Sequence, residues 1–150
     1  MKIFIGADHR GFELKKKMIS ALTKQGYSIE DVGTHNAEES CDYPHFSLEV
    51  AKRVAQETGS KGILICMTGI GHSIAANKVP GAYAALCYNK EAAQLSREHN
   101  NSNILVLGSK FVAPDQILGI VEIWLKTAFE GGRHERRFEQ IKDIEKRFLK

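Results

Sequence analysis

Apolar residues follow two spacings along this chain: short strand-like runs, and stripes recurring every three or four positions. Runs at Lys2–Gly6, Ser28–Val32, Gly62–Cys66, Ala82–Cys87 and Asn103–Leu107 predict five strands. From Gly11 to Gln25 the spacing sets Leu14, Met18, Ala21 and Leu22 on one helical face, and Gly26 supplies a stop. Pro44 suits a first helical turn, with Phe46, Val50, Ala51 and Val54 facing inward. Pro114 and Asp115 open a helix carrying Ile117, Val121, Trp124 and Leu125. Gly131 and Gly132 break the chain before a last amphipathic helix with Phe138, Ile141, Glu145 and Phe148 on related faces. Strands alternating with helices predict a parallel sheet covered on both sides, joined by right-handed crossovers. With no internal repeat or long linker, residues 1–150 read as a single α/β domain. The tail helix is the one segment expected outside the compact body, its apolar stripe suited to another subunit.

Composition narrows the class. The 150 residues are 43% apolar and 26% charged, ordinary for a globular domain able to bury a core. No apolar run approaches the ~18 residues that span a bilayer. Met1–Gly6 reads as a first strand rather than a signal peptide, so the expectation is cytoplasmic, with no membrane contact. Cys41, Cys66 and Cys87 are odd in number and lack a CxxC spacing, against a disulfide framework or zinc knuckle. Of the net charge of +3, all lies in residues 133–150, with seven Lys/Arg against four Asp/Glu; the rest balances at 14 against 14. Without a broad basic surface or interleaved aromatics, such a tail suits a small phosphate or a protein partner, not nucleic acid.

The chemistry gathers after the strands. In a parallel sheet the loops at the strand C-termini share one edge, where ligands bind. Asp8, His9 and Arg10 follow the first strand, and Cys66-Met67-Thr68-Gly69-Ile70-Gly71 follows the third. A thiol there, with N–H groups and a helix N-terminus behind it, predicts a lowered thiol pKa beside an anion cradle. His99 and Asn100 end the helix after strand four, and Arg133 and Arg137 stand one helical turn apart. The glycine turn fits neither a Walker loop nor a GxGxxG fingerprint, since Ile74 stands where a third glycine is needed. A tyrosine-phosphatase-type loop would want Arg where His72 stands. A flavin-phosphate loop remains open, since Thr68, the two glycines and Ser73 offer hydroxyls and N–H groups.

Six motifs, in order and nearly end to end, carry a resemblance. They are Asp8-His9-Arg10-Gly11, Asp42-Tyr43-Pro44, Cys66-x-Thr68-Gly69-Ile70-Gly71, Ile74-Ala75-Ala76-Asn77-Lys78, Ser96-Arg97-Glu98-His99-Asn100 and Gly131-Gly132-Arg133-His134. Together they resemble the type B ribose-5-phosphate isomerase family, which includes the galactose-6-phosphate isomerase subunits. The resemblance implies a three-layer α/β/α, Rossmann-like (flavodoxin-like) domain with a five-stranded parallel sheet. It also implies a C-terminal helix extending to a partner, in a homodimer or homotetramer with active sites at the subunit interface. The implied activity is the interconversion of ribose 5-phosphate and ribulose 5-phosphate, a step of the pentose phosphate pathway, with no metal and no cofactor. Carried onto this sequence, Cys66 is the base and Thr68 assists it, while N–H groups of Met67, Gly69, Ile70 and Gly71 stabilise the enediolate. Asp8 and His99 open the sugar ring, Tyr43 and Asn100 bind hydroxyls, His9, Arg133 and Arg137 hold the phosphate, and Lys110 is a further substrate-binding position.

Three positions depart from the family pattern. Met67 stands where relatives usually have glycine, His72 where they are usually apolar, and Lys110 where many have arginine. A methionine is strained at positive φ and harmless at negative φ. His72 reads either as pocket lining or as an exposed helix residue. Cys87 reads as core, Cys41 as an incidental loop thiol, and no role is expected for His35, His45 or His134. A hexose-6-phosphate isomerase acting on allose or galactose 6-phosphate, and a sugar-phosphate sensor without turnover, are the alternatives.

Overall fold

The computed structural model describes residues 1–36 and 41–149. Its elements run β1 (Lys2–Ala7), a 3₁₀ turn (His9–Gly11), α1 (Phe12–Lys24), β2 (Ser28–Gly33), α2 (Tyr43–Gln56), β3 (Lys61–Cys66) and α3 (Ile70–Ala76). They continue through β4 (Ala84–Leu86), α4 (Lys90–Asn100), β5 (Ile104–Gly108), α5 (Pro114–Lys126) and α6 (Arg133–Phe148). All five strands are parallel, in the order β2-β1-β3-β5-β4. The flavodoxin order is 2-1-3-4-5; here the last two strands are exchanged, and β5 separates β3 from the edge strand β4. β4 is shorter than the run Ala82–Cys87, because Asn103 Oδ1 accepts the Tyr83 N–H at 2.8 Å in place of a ladder bond.

Two apolar layers cover the sheet. On one face Ile3, Ile5, Ile63, Ile65, Leu105 and Leu107 meet Met18 and Leu22 of α1, and Ile117, Val121 and Trp124 of α5. On the other, Phe4, Leu64 and Val106 meet Val50, Ala51 and Val54 of α2, and Ala76 of α3. Nearly continuous apolar strands are what burial on both faces requires. Among the described residues no helix is long and apolar enough to cross a membrane.

The corner where α4 enters β5 is tied by polar side chains. Buried Arg97 donates to the Thr127 carbonyl at 3.1 Å and to Asn101 Oδ1 at 3.1 Å, and also reaches the Ser102 carbonyl. Trp124 Nε1 donates to Ser102 Oγ at 2.9 Å. α6 is anchored by Glu145, which accepts from Gly81 N at 2.7 Å and Tyr83 Oη at 3.0 Å. Phe138 packs edge-on against Tyr83, with centroids 4.9 Å apart. Beyond that anchor, Ile141, Ile144 and Phe148 remain exposed, Phe148 at 71%.

Candidate active site

The β3 run ends at Cys66, where the chain turns and starts α3 from Gly69, at φ 85°. The turn brings the Gly69 N–H to Cys66 Sγ at 3.1 Å. The Ile70 N–H reaches Thr68 Oγ1 at 3.2 Å, and the Thr68 carbonyl is held by Tyr88 Oη at 3.0 Å. Donors therefore face the sulfur as expected, but the net direction of its pKa is the reverse of the sequence expectation. Burial pushes the Cys66 thiol up, the Gly69 N–H pulls it down less strongly, and Asp8 adds to the upward push. The N–H groups of the turn do not offset desolvation of a cysteine only 7% exposed. Met67 carries no strain: among the described residues Asn101 is the one non-glycine at positive φ. Its side chain lies 37% exposed at the mouth, with Sδ 3.3 Å from an Arg10 guanidinium nitrogen.

The β1–β3 register pairs Ala7 with Ile65, which sets Asp8 beside Cys66 at the point where the chain crosses from one side of β1 to the other. Asp8 is 7% exposed, and its Oδ1 accepts from Arg10 N and Gly11 N, both at 3.1 Å. Its capping role is thus real, and it leaves the carboxylate close enough to act on the thiol. His9 Nδ1 accepts the Cys41 N–H at 3.3 Å, and the Cys41 sulfur lies 3.8 Å from the same atom. Lys110 joins this edge through its N–H to the Met67 carbonyl at 2.8 Å. Tyr43 arches over Gly71: a Cβ there would lie 2.4 Å from the Tyr43 hydroxyl, so only glycine lets the phenol close over the loop.

His72 is neither pocket lining nor exposed. It is fully buried, with Nδ1 2.6 Å from Ser47 Oγ and Nε2 3.3 Å from the Ile65 carbonyl, and its ring meets Tyr43 edge-on. The carbonyl can only accept, so Nε2 carries the proton and Nδ1 accepts from Ser47. This neutral form satisfies both nitrogens, and desolvation brings the pKa down to about 4.

His99, Asn100, Arg133 and Arg137 are not brought to Cys66. α4 runs away from the ligand edge and ends at Asn100, just before β5 begins at Ile104. The far end of β5, Gly108, is the residue that pairs with Cys66. Four strand steps separate the two edges, roughly 13 Å. Each half is internally coherent: Asp8, His9, Tyr43, Cys66, Thr68 and Lys110 at one edge, the other four residues at the opposite one.

At that second edge, sequence reasoning missed two residues. His134 stacks on His99, with centroids 4.1 Å apart and planes 12° from parallel. Glu130 Oε2 lies 3.5 Å from His134 Nε2. Burial first, then His99 and Arg133, lower the His134 pKa, while Glu130 opposes them. The available signal was the four-residue spacing of Glu130 and His134 across Gly131 and Gly132. Ligand atoms of His99, Glu130 and His134 lie within 4.8 Å of one another. Stacked rings nonetheless aim their lone pairs side by side, which is poor geometry for one ion.

Residues 3–141 match a family described as Ribose/Galactose Isomerase. The chain is 46% identical to ribose-5-phosphate isomerase B of Escherichia coli over 146 residues, covering 97% of each protein. Among solved structures, ribose-5-phosphate isomerase B of Clostridium thermocellum is 52% identical, with a TM-score of 0.95 and 99% of each chain covered. The Mycoplasma genitalium ribose-5-phosphate isomerase B, solved with bound ribulose 5-phosphate, is 42% identical, with a TM-score of 0.94 and 97% and 96% of the two chains covered.

Proposed function

The chain belongs to the ribose/galactose isomerase family, and on that premise we propose that it interconverts ribose 5-phosphate and ribulose 5-phosphate through an enediolate. The observation that carries the reading is the Cys66 sulfur at the end of β3, receiving the Gly69 N–H at 3.1 Å with Asp8 beside it. In the open-chain aldose the C1 carbonyl acidifies the C2 hydrogen. The Cys66 thiolate takes that proton, and N–H groups from Met67 to Gly71 stabilise the charge arising on O1. With Thr68 assisting, the O2 proton passes to O1 and the thiol returns its proton to C1, leaving a ketone at C2. Electrons and protons balance within the sugar.

Before that step the furanose must open, which removes a proton from the C1 hydroxyl and delivers one to the ring oxygen. Asp8 and His99 take these roles, and Tyr43 and Asn100 hold sugar hydroxyls. His9, Arg133 and Arg137 hold the phosphate, the arginines through paired planar donors, and Lys110 lines the substrate site. Since the two halves lie at opposite sheet edges, a complete site takes its second half from another copy of the chain. The exposed Ile141, Ile144 and Phe148 support α6 as an element that reaches such a copy, in a homodimer or a tetramer.

The direct test is turnover of ribose 5-phosphate beside allose 6-phosphate and galactose 6-phosphate, with EDTA present. EDTA-resistant turnover preferring ribose 5-phosphate is expected. Preference for a hexose phosphate would keep the reaction class and overturn the pentose assignment, and a folded protein silent on all three would overturn both. Cys66→Ala should abolish turnover while leaving folding and inorganic phosphate binding intact. Substantial residual turnover would remove Cys66 from the role of base.

A further inference from the structure

His134 has no part in the reading above, yet it is held more firmly than the histidine it touches. Its side chain is buried, whereas His99 is half-buried at the last turn of α4. Gly131 and Gly132, at φ 75° and 57°, fold the chain so that Glu130 returns over the first turn of α6. There Glu130 does two things. Its backbone N–H donates to the Glu98 carbonyl at 3.1 Å, tying it to the residue before His99. Its carboxylate faces His134 Nε2 at 3.5 Å. The His134 N–H closes the turn on the Gly131 carbonyl at 3.0 Å. The rigid imidazole then lies flat on the His99 ring, 4.1 Å between centroids.

A half-buried histidine at a helix end has two side-chain torsions to settle, and its ring torsion is broad. A second ring packed parallel on one face removes most of that freedom without occupying either nitrogen. The remaining face and the in-plane nitrogens stay available to a ligand. Arg133 and Arg137, the arginines read as phosphate ligands, act with Glu130 on the His134 ring, so a sugar phosphate held by them would meet an imidazole already set in plane.

We propose that His134, steadied by Glu130, is a positioning residue that fixes the plane of the His99 imidazole for opening of the sugar ring. The proposal rests on the isomerase reading and adds to it a residue that acts through His99. It predicts a defect confined to one chemical stage. Misplacing a proton-transfer group by about 1 Å costs on the order of a hundredfold in rate, but a substrate that needs no ring opening escapes that cost.

The test compares ribose 5-phosphate with its 4-deoxy analogue, which lacks the oxygen needed to close a furanose and so is always open. His134→Ala should lower kcat for ribose 5-phosphate about tenfold or more and leave turnover of the analogue near wild type. His134→Phe keeps a flat ring on His99 and should restore most of the ribose 5-phosphate rate. Equal losses on both substrates would mark a merely structural role and overturn the proposal, as would a Phe variant no faster than the Ala variant. Wild-type protein silent on both substrates defeats the isomerase reading itself. Wild-type protein active on both, with His134 variants matching it, defeats the positioning role alone.

Discussion

At Cys66 two influences oppose each other on one sulfur. The Gly69 N–H favours the thiolate, while burial disfavours it more strongly, so the free-enzyme thiol sits above its ordinary pKa. The alkylation rate of Cys66 by iodoacetamide should therefore rise with pH later in the folded protein than in the urea-unfolded chain. Coincident profiles, read by mass spectrometry of the modified peptides, would contradict this. Exposed Arg137, read as a phosphate ligand, makes a different prediction. Arg137→Ala should raise KM for ribose 5-phosphate at least about tenfold, with kcat changed much less, because its contact is present in ground and transition states alike. An unchanged KM would remove Arg137 from the phosphate end.

Within the elements, α3 and α2 are joined by a buried polar contact where sequence pattern suggested either a pocket wall or a solvent face. His72 and Ser47 satisfy each other only while the imidazole is neutral. Its folded pKa of about 4 lies below the ordinary 6.5, so between those values the unfolded chain binds the extra proton. Stability is then full above about pH 6.5 and is lost as pH falls through 4, by on the order of 3 kcal/mol. Urea midpoints measured at pH 7 and pH 4.5 should fall less for His72→Leu than for the wild-type chain; an equal fall would assign the acid sensitivity elsewhere. This contact was illegible in the sequence because His72 has its partner 25 residues away and no local pattern marks it. The helices themselves were legible, since the apolar stripes of α1, α2 and α5 and the punctuation at Gly26, Pro44 and Pro114 are local signals. β4 was overextended because the apolar run Ala82–Cys87 says nothing of Asn103, whose side chain takes the first ladder donor.

Over the whole molecule, the strand order decides what one chain can do. Motifs that read as one constellation in sequence fall on two edges of the sheet, since helices carry the chain from one edge back to the other. Asp8 and Cys66 were legible together because both follow strands of a parallel sheet, whereas Lys110 entered through the family resemblance and joins them because β5 pairs with β3. The separation of His99 from Cys66 follows from direction along the sheet, and the stacking of His134 on His99 follows from the turn before α6. If complete sites form only between copies, two inactive variants should repair one another. Mixing Cys66→Ala with His99→Asn, unfolding and refolding together, should recover about a quarter of wild-type activity, since half the pairs are mixed and each has one intact site. Recovery absent from a mixture shown to contain mixed pairs would mean that each chain builds its own site. The same division of labour gives inheritance an unusual arithmetic. A chain damaged in one half spares one site of every mixed pair, whereas a chain damaged in both halves silences both. Two lesions carried on one gene copy beside an intact copy would therefore leave about a quarter of the sites, all in undamaged pairs, while the same two lesions on separate copies would leave the same quarter, one site in each mixed pair.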